Sequence, residues 1–350
     1  MTKRCRHWPD LYSRLSSHFT VPSPFAINGK IPRMFSLFRR SPNRFRHSAY
    51  FEGVLGTSLE FQIVAWEDSN FSQIEQVILD EIDRLEKTFN AYNPSSELRL
   101  WQETREQDAQ VSNELTQVLS QAEQWRQHTD GAFNPAVEAL TRLWTQHAQT
   151  DTPIAQQELT DVLTNMNSPL WTASLEQGTA RCHTTLPVTL NSIAKGFIID
   201  AACRVATQQE GVQEVLINIG GDLKHAGSKP LVIAVADPRN DAENAVPAAR
   251  VKIHNQGLAT SGNYRRGFEI QGRWYSHVLD PRSGWPVEEL VGVSVVAPDA
   301  ITADVLATAF CVLRPSQSLE LADGLGGIGV ILIDSQGQRF SNAFWDNCVA

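Results

Sequence analysis

In "DAITADVLATAF", Asp304 and Thr308 stand four residues apart, so on a helix a carboxylate and a hydroxyl project from one face. Two hard oxygens so placed suit Mg²⁺. A plainer account has Thr308 bonding back to a helix carbonyl and Asp304 favouring the helix N-terminal dipole. "NSIAKGFIIDAA" offers the free N–H groups of an opening helical turn, small Ala194 and Gly196 that let backbone approach a ligand, and the point charge of Lys195. Together these suit a pyrophosphate; the alternative is Ser192 as an N-cap beside a solvated lysine. His277 closes an alternating strand just before Asp280-Pro281. A histidine there can donate to a phosphate or shuttle a proton, with Asp280 orienting it or joining a metal shell, or it is half-buried beside a turn aspartate. Arg265 and Arg266 are neighbours on a strand and point to opposite faces, so at most one clamps a polyphosphate. The double glycine of "VLINIGGDLKHAG" passes backbone close to a flat ring or makes a tight hairpin.

These groups need elements to hold them. "YFEGVLGTSLEFQIVAW" (50–66) reads as a strand pair or a bent strand, with Gly56 and Thr57 at the turn. Ile74, Ile78, Ile82, Leu85 and Phe89 then recur at helical spacing and define a core-facing helix. The turn-rich "AYNPSSE" (91–97) leads to a helix over 112–128, and "AFNPAVEALTRLW" restarts one with Asn134 as N-cap and Pro135 as first helical residue. Residues 150–185 are polar and irregular apart from a short helix near 157–166. The strand "LPVTL" precedes the Lys195 helix, which Gly211 closes; short strands follow, including a hairpin about Gln271-Gly272. A strand over 290–297, a helix over 300–313, another short helix and the strand "GIGVILID" finish the pattern. Runs of strands broken by single helices specify α+β with antiparallel sheets.

The chain of 350 residues is 42% apolar with a formal charge of −9, enough apolar content for a sizeable core. The charge is divided unevenly. Residues 1–48 carry ten Lys and Arg against Asp10 alone, leaving 20 basic and 38 acidic residues beyond them. An acidic body argues against a nucleic-acid groove. The basic leader, interrupted by Pro and Ser, reads as a solvated tail rather than an arm for RNA or anionic lipid, or as a segment ahead of a start at Met34. A single domain is expected over 49–346. The leader lacks an uninterrupted apolar signal region and no stretch reaches spanning length, so the expected location is cytoplasmic. Cysteines at 5, 182, 203, 311 and 348 are odd in number without a C-x-x-C pair, which fits a reducing compartment.

Seven blocks in order, "AYNPSSEL", "GAFNPAVEAL", "SIAKGFIIDAA", "LINIGGDL", "ATSGNYRRGFEI", "YSHVLDPRSGWPV" and "ADVLATAF", resemble the ApbE family, the FAD:protein FMN transferases. The resemblance runs from about Gly53 to the last strand. It implies a T-fold-like α+β architecture of antiparallel sheets and packed helices, with FAD in a cleft between the halves and Mg²⁺ at its pyrophosphate. It implies that an acceptor protein's threonine hydroxyl attacks the FMN-side phosphorus and AMP leaves. Carried over by position, Asp304 and Thr308 would ligate the metal with the Ser192 carbonyl region opposite, and Lys195 would meet the phosphates. Leu55, Tyr92, Ala132, Phe133, Asn134, Thr189 and Val278 would line the cofactor site, with His277 and Asp304 as the catalytic pair. The chain departs from the family pattern at Leu55 for Met, Asn134 for Asp and Thr189 for Asp. Hydrolysis of FAD to FMN and AMP, or flavin binding without catalysis, are the competing expectations.

Overall fold

A computed structural model describes residues 43–239, 246–262 and 267–350. β1 (Arg44–Val54) and β2 (Thr57–Trp66) form an antiparallel hairpin whose turn is Leu55-Gly56, both at positive φ (49° and 75°). Thr57, expected in the turn, already belongs to β2. β1 also begins inside the expected basic leader: Arg44, Arg46 and His47 pair with Trp66, Val64 and Ile63. Leu59, Phe61, Ile63 and Ala65 alternate inward along β2 and are fully buried, the period of a half-buried strand.

α1 (Phe71–Phe89) buries the five residues of its expected stripe, and α2 (Glu97–Glu103) follows with Ser96 as N-cap. Next come β3 (Ala109–Gln110), α3 (Asn113–His128), α4 (Glu138–Thr150), α5 (Gln156–Asn167), β4 (Trp171–Ser174) and β5 (Thr179–Cys182). α4 starts later than expected. Asn134 accepts Ala136 N–H with its side chain (2.9 Å) and Val137 N–H with its carbonyl (3.0 Å), so it closes a tight turn instead of capping the helix.

α6 (Asn191–Thr207) ends four residues before Gly211. Its apolar residues face all round because α1, α7 and the sheet enclose it, α7 being the helix Ala300–Phe310. Between them run β6 (Val212–Ile219), β7 (Asp222–Gly227), β8 (Leu231–Val235), β9 (Ala249–Ile253), β10 (Gly257–Gly262), β11 (Gly267–Ile270), β12 (Arg273–Ser276) and β13 (Leu290–Ala297). β11 and β12 turn at Gln271-Gly272, both at positive φ, as the sequence predicts. After α7 come α8 (Pro315–Leu325), β14 (Gly329–Asp334), β15 (Arg339–Ser341) and α9 (Ala343–Cys348); the last two went unread in the sequence.

An eight-stranded antiparallel sheet in the order β1-β2-β6-β7-β10-β13-β14-β15 organises the molecule. Alternation along its strands makes two cores. Ile217, Ala259, Val295 and Leu332 meet the helices on one face; Leu216, Leu258, Val296 and Ile333 meet β8, β9 and Trp345 of α9 on the other. The α+β expectation holds. No helix among the described residues is long and apolar enough to cross a membrane.

Candidate active site

The packing of α6 against α7 builds the site. Gly196 is required where they cross: a Cβ there would lie 2.5 Å from the Ala300 carbonyl oxygen and 2.6 Å from Ile301 Cα. That proximity lets Gly196 N–H donate to Asp304 Oδ2 (3.1 Å). The Asp200 carboxylate takes the N–H groups of Ala300 and Ile301 (3.1 Å each), and Asp299 caps the same end through Thr302 N–H (2.7 Å). α7 is thereby fixed by the orphan donors of its first turn.

One residue before the crossing, the Lys195 ammonium reaches Asp222 Oδ2 at 2.5 Å. Asp222 sits at the head of β7 after Gly220-Gly221, and its other oxygen accepts Thr260 N–H at 3.0 Å. The ammonium also feels the charge of the buried Asp304 carboxylate. Burial opposes the lysine's charge, but Asp304 and Asp222 outweigh it and hold its pKa above the ordinary value. Burial raises the Asp304 pKa, against the lowering pull of Lys195 and with a further push from Asp222.

Two clefts meet at this cluster. The first, about 550 Å³, is lined by Leu55, Gly56, Thr57, Tyr92, Asn191 and Lys195 among others. The second, about 630 Å³, includes Lys195, Gly220, Thr260 and His277, with one wall from β8. Lys195 and Gly220 belong to both. Gly220 must be glycine: it sits at φ 62°, and a Cβ would fall 2.7 Å from Thr57. Tyr92 is positioned by Asn90, whose side chain accepts the Tyr92 N–H (2.9 Å), and its hydroxyl accepts Asn191 Nδ2–H (3.1 Å).

The structure thus gathers Leu55, Tyr92, Lys195 and His277 around the clefts and sets Asp304 beneath them. Thr308, half-buried, lies one turn along α7 from Asp304, and its hydroxyl makes no hydrogen bond to the described residues. Ser192 is not a cap. It sits inside α6 at a kink (φ −86°, ψ 15°), while the Thr189 hydroxyl accepts Asn191 N–H (3.3 Å). Ala132, Phe133 and Asn134 are buried and line neither cleft; their turn braces the approach to α6 through Thr189 N–H on the Pro135 carbonyl (2.9 Å). Thr189 and Val278 also lie off both linings, Val278 being tied to Ser276 and Val287. His277 follows the last residue of β12 rather than ending the strand. Asp280 is engaged by Arg282 in a two-pronged pair (2.9 Å each), which raises the guanidinium's pKa. Arg265 and Arg266 lie outside the described residues.

Asp222 is the participant the sequence reading missed. Its only local signal was a carboxylate directly after the double glycine. Among the described residues no three His, Cys, Asp or Glu side chains form a metal cage. Oxygens near the cluster that suit a hard cation include the Asp304 carboxylate, the Thr308 hydroxyl and main-chain carbonyls.

Comparison with known proteins gives the class of this α+β scaffold, whose clefts converge on a buried charge cluster. Residues 55–332 match the ApbE family, and the chain belongs to it. It is a transferase. The FAD:protein FMN transferase of Escherichia coli (strain K12) is 29% identical over 297 residues, 82% of this chain and 84% of that protein. The FAD:protein FMN transferase of Haemophilus influenzae is 28% identical over 285 residues, 77% and 81% of the two chains. Among solved structures, the Pseudomonas stutzeri flavinyl transferase ApbE in its apo form superposes with TM-score 0.72 at 26% identity, covering 89% of this chain and 98% of that one. The ApbE protein of Thermotoga maritima gives TM-score 0.74 at 24% identity over 88% of this chain and all of that one, a likeness of fold.

Proposed function

We propose that this protein transfers FMN from FAD to a threonine hydroxyl of an acceptor protein and releases AMP. The observation that carries the reading is Lys195, an ammonium paired with Asp222 and within the field of the buried Asp304 at the point where two clefts meet. Each cleft falls within the range of about 300–1,000 Å³ typical of small-molecule sites. One receives FAD; the other admits the acceptor.

In this reading Tyr92 and Leu55 hold the nucleotide in the first cleft, and Lys195 draws its pyrophosphate to the junction. The acceptor oxygen attacks the FMN-side phosphorus, forming a new O–P bond. The bridging P–O bond breaks and its electron pair leaves with AMP. His277 takes the hydroxyl proton. Fixed charges that meet the developing negative charge supply most of the acceleration in such transfers.

Magnesium belongs to the proposal. The Asp304 carboxylate, the Thr308 hydroxyl and main-chain oxygen at Ser192 would hold the ion, hard donors of the kind it prefers. Bound there, it would neutralise pyrophosphate charge. The cytoplasmic location expected from the sequence stays part of this reading, supported by buried free thiols at Cys182, Cys203, Cys311 and Cys348. The test is Asp304→Ala assayed for AMP release at saturating FAD over a magnesium titration. Loss of magnesium-dependent turnover is expected; turnover equal to wild type removes Asp304 from the mechanism.

A further inference from the structure

We propose that the open edge of β8 is the acceptor-docking surface, where an extended segment of the acceptor protein adds as a β-strand and presents its threonine to Lys195 and His277. The inference rests on the transfer reading above and adds where and in what conformation the acceptor binds.

β8 pairs with β9 alone among the described residues. The far side of β9 is already occupied: Val251 bridges Val349, and Ala350 N–H donates to the Arg250 carbonyl (2.8 Å). Among the described residues the free edge is therefore that of β8. Beyond the β9 ladder, the described backbone hydrogen bond reaching β8 is Ala248 N–H on the Val235 carbonyl (2.8 Å), which points that carbonyl toward β9. In an antiparallel strand, alternate residues turn their N–H and C=O to opposite edges, so Val232 and Ala234 present theirs outward.

Proteins guard such edges with charges, prolines or bulges inside the strand. β8 has none. It reads Leu-Val-Ile-Ala-Val, with Lys229 and Pro230 stopping just before it and Val232 47% exposed. An unguarded edge of β-formers is a template for another strand.

Position supplies the occupant. Ile233, Ala234, Val235 and Ala236 are consecutive and together wall the second cleft, whose other side carries His277 and Lys195. A strand of five residues offers about 17 Å of edge at about 3.3 Å per residue. An extended segment laid along it reaches the junction where FAD's pyrophosphate is proposed to lie. The second cleft, about 630 Å³, suits such a segment with small side chains better than the convex surface of a folded domain. The threonine Oγ–P bond then forms as the pyrophosphate P–O bond breaks, AMP takes the electron pair, and the hydroxyl proton passes to His277.

The test uses the full-length wild-type protein, FAD, Mg²⁺ and a mixture of short synthetic peptides with a central threonine and other positions randomised. Flavin-labelled peptides are identified by mass spectrometry, and the best is resynthesised with backbone amides N-methylated at odd or at even positions from the threonine. Strand addition predicts that methylation of one parity lowers labelling by about tenfold or more while the other parity is tolerated. Ala234→Pro, which removes an outward donor, should lower kcat/KM for the unmethylated peptide by a similar factor. Equal labelling of both methylated series, or an Ala234→Pro protein that labels as wild type does, overturns the docking surface and leaves the transfer reading standing. Release of AMP with no labelled peptide, or FAD left intact, overturns the transfer reading and this inference with it.

Discussion

Gly196→Ala isolates the contact on which the site depends. The added Cβ would lie 2.5 Å from the Ala300 carbonyl oxygen, whereas ordinary contact begins near 3.4 Å, so α7 must yield by about 0.9 Å. Its first turn is pinned by Asp200 and Asp299 and cannot yield freely. Overpacking of this kind costs about 1–3 kcal/mol. The helix-propensity gain of alanine over glycine returns about 1 kcal/mol. A net loss of up to about 2 kcal/mol remains, a drop of up to about 8 °C in Tm for a domain this large. Activity should fall further than stability, because Asp304 rides on α7, and misplacing a reacting group by about 1 Å costs about a hundredfold. Gly324→Ala is the control: it lies within α8 with open space around its Cβ, so it should gain about 0.5 kcal/mol. Denaturation midpoints and AMP release from FAD measure both effects. A Gly196→Ala protein as stable and as active as wild type would refute the claim that this crossing positions Asp304.

Thr189→Asp, which installs the carboxylate that the ApbE resemblance implies at this position, should tighten FAD binding in an equilibrium titration; unchanged affinity would show that another group has replaced it. His225 of β7 is buried with Nδ1 unpaired among the described residues, and burial lowers its pKa, opposed by Glu214 and aided by His254 and Lys224. A depressed histidine pKa means the unfolded chain binds more protons, so stability should fall as pH drops below about 6.5. His225→Leu should flatten that fall in urea midpoints; an identical pH slope would discount His225 as its source. Burial pushes the Cys203 and Cys311 thiols up to about 12, so neither should react with a maleimide at pH 8 until the protein is unfolded. Stoichiometric labelling at Cys203 or Cys311 in the native protein, located by peptide mass mapping, would contradict their burial.

Elements whose signal is a repeated local period were legible in the sequence. The stripe from Ile74 to Phe89, the hairpin at Gln271-Gly272 and the strand over 290–297 emerge as read. The start of β1 hid because it is charged: Arg44, Arg46 and His47 suit an edge strand, yet they read as part of a basic tail. Arg44 lies over the Trp66 ring and His47 bonds Glu75, partners that only the folded sheet provides. Asn134 misled for a different reason, since an Asx turn and a helix cap use the same side-chain oxygen. Asp304, Lys195 and His277 were legible as chemistry-bearing types in suggestive settings. Asp222 was not, because its role depends on a lysine from another element and a backbone amide from β10. Such convergence has no period to read.

The central claim is that the junction at Lys195 moves FMN, and does not merely bind or split FAD. The direct measurement is the ratio of AMP released to FMN covalently attached to the threonine peptides, followed in one reaction by chromatography and mass spectrometry. Transfer predicts equal amounts of the two, both lost in Asp304→Ala. AMP accompanied by free FMN and no labelled peptide would contradict it.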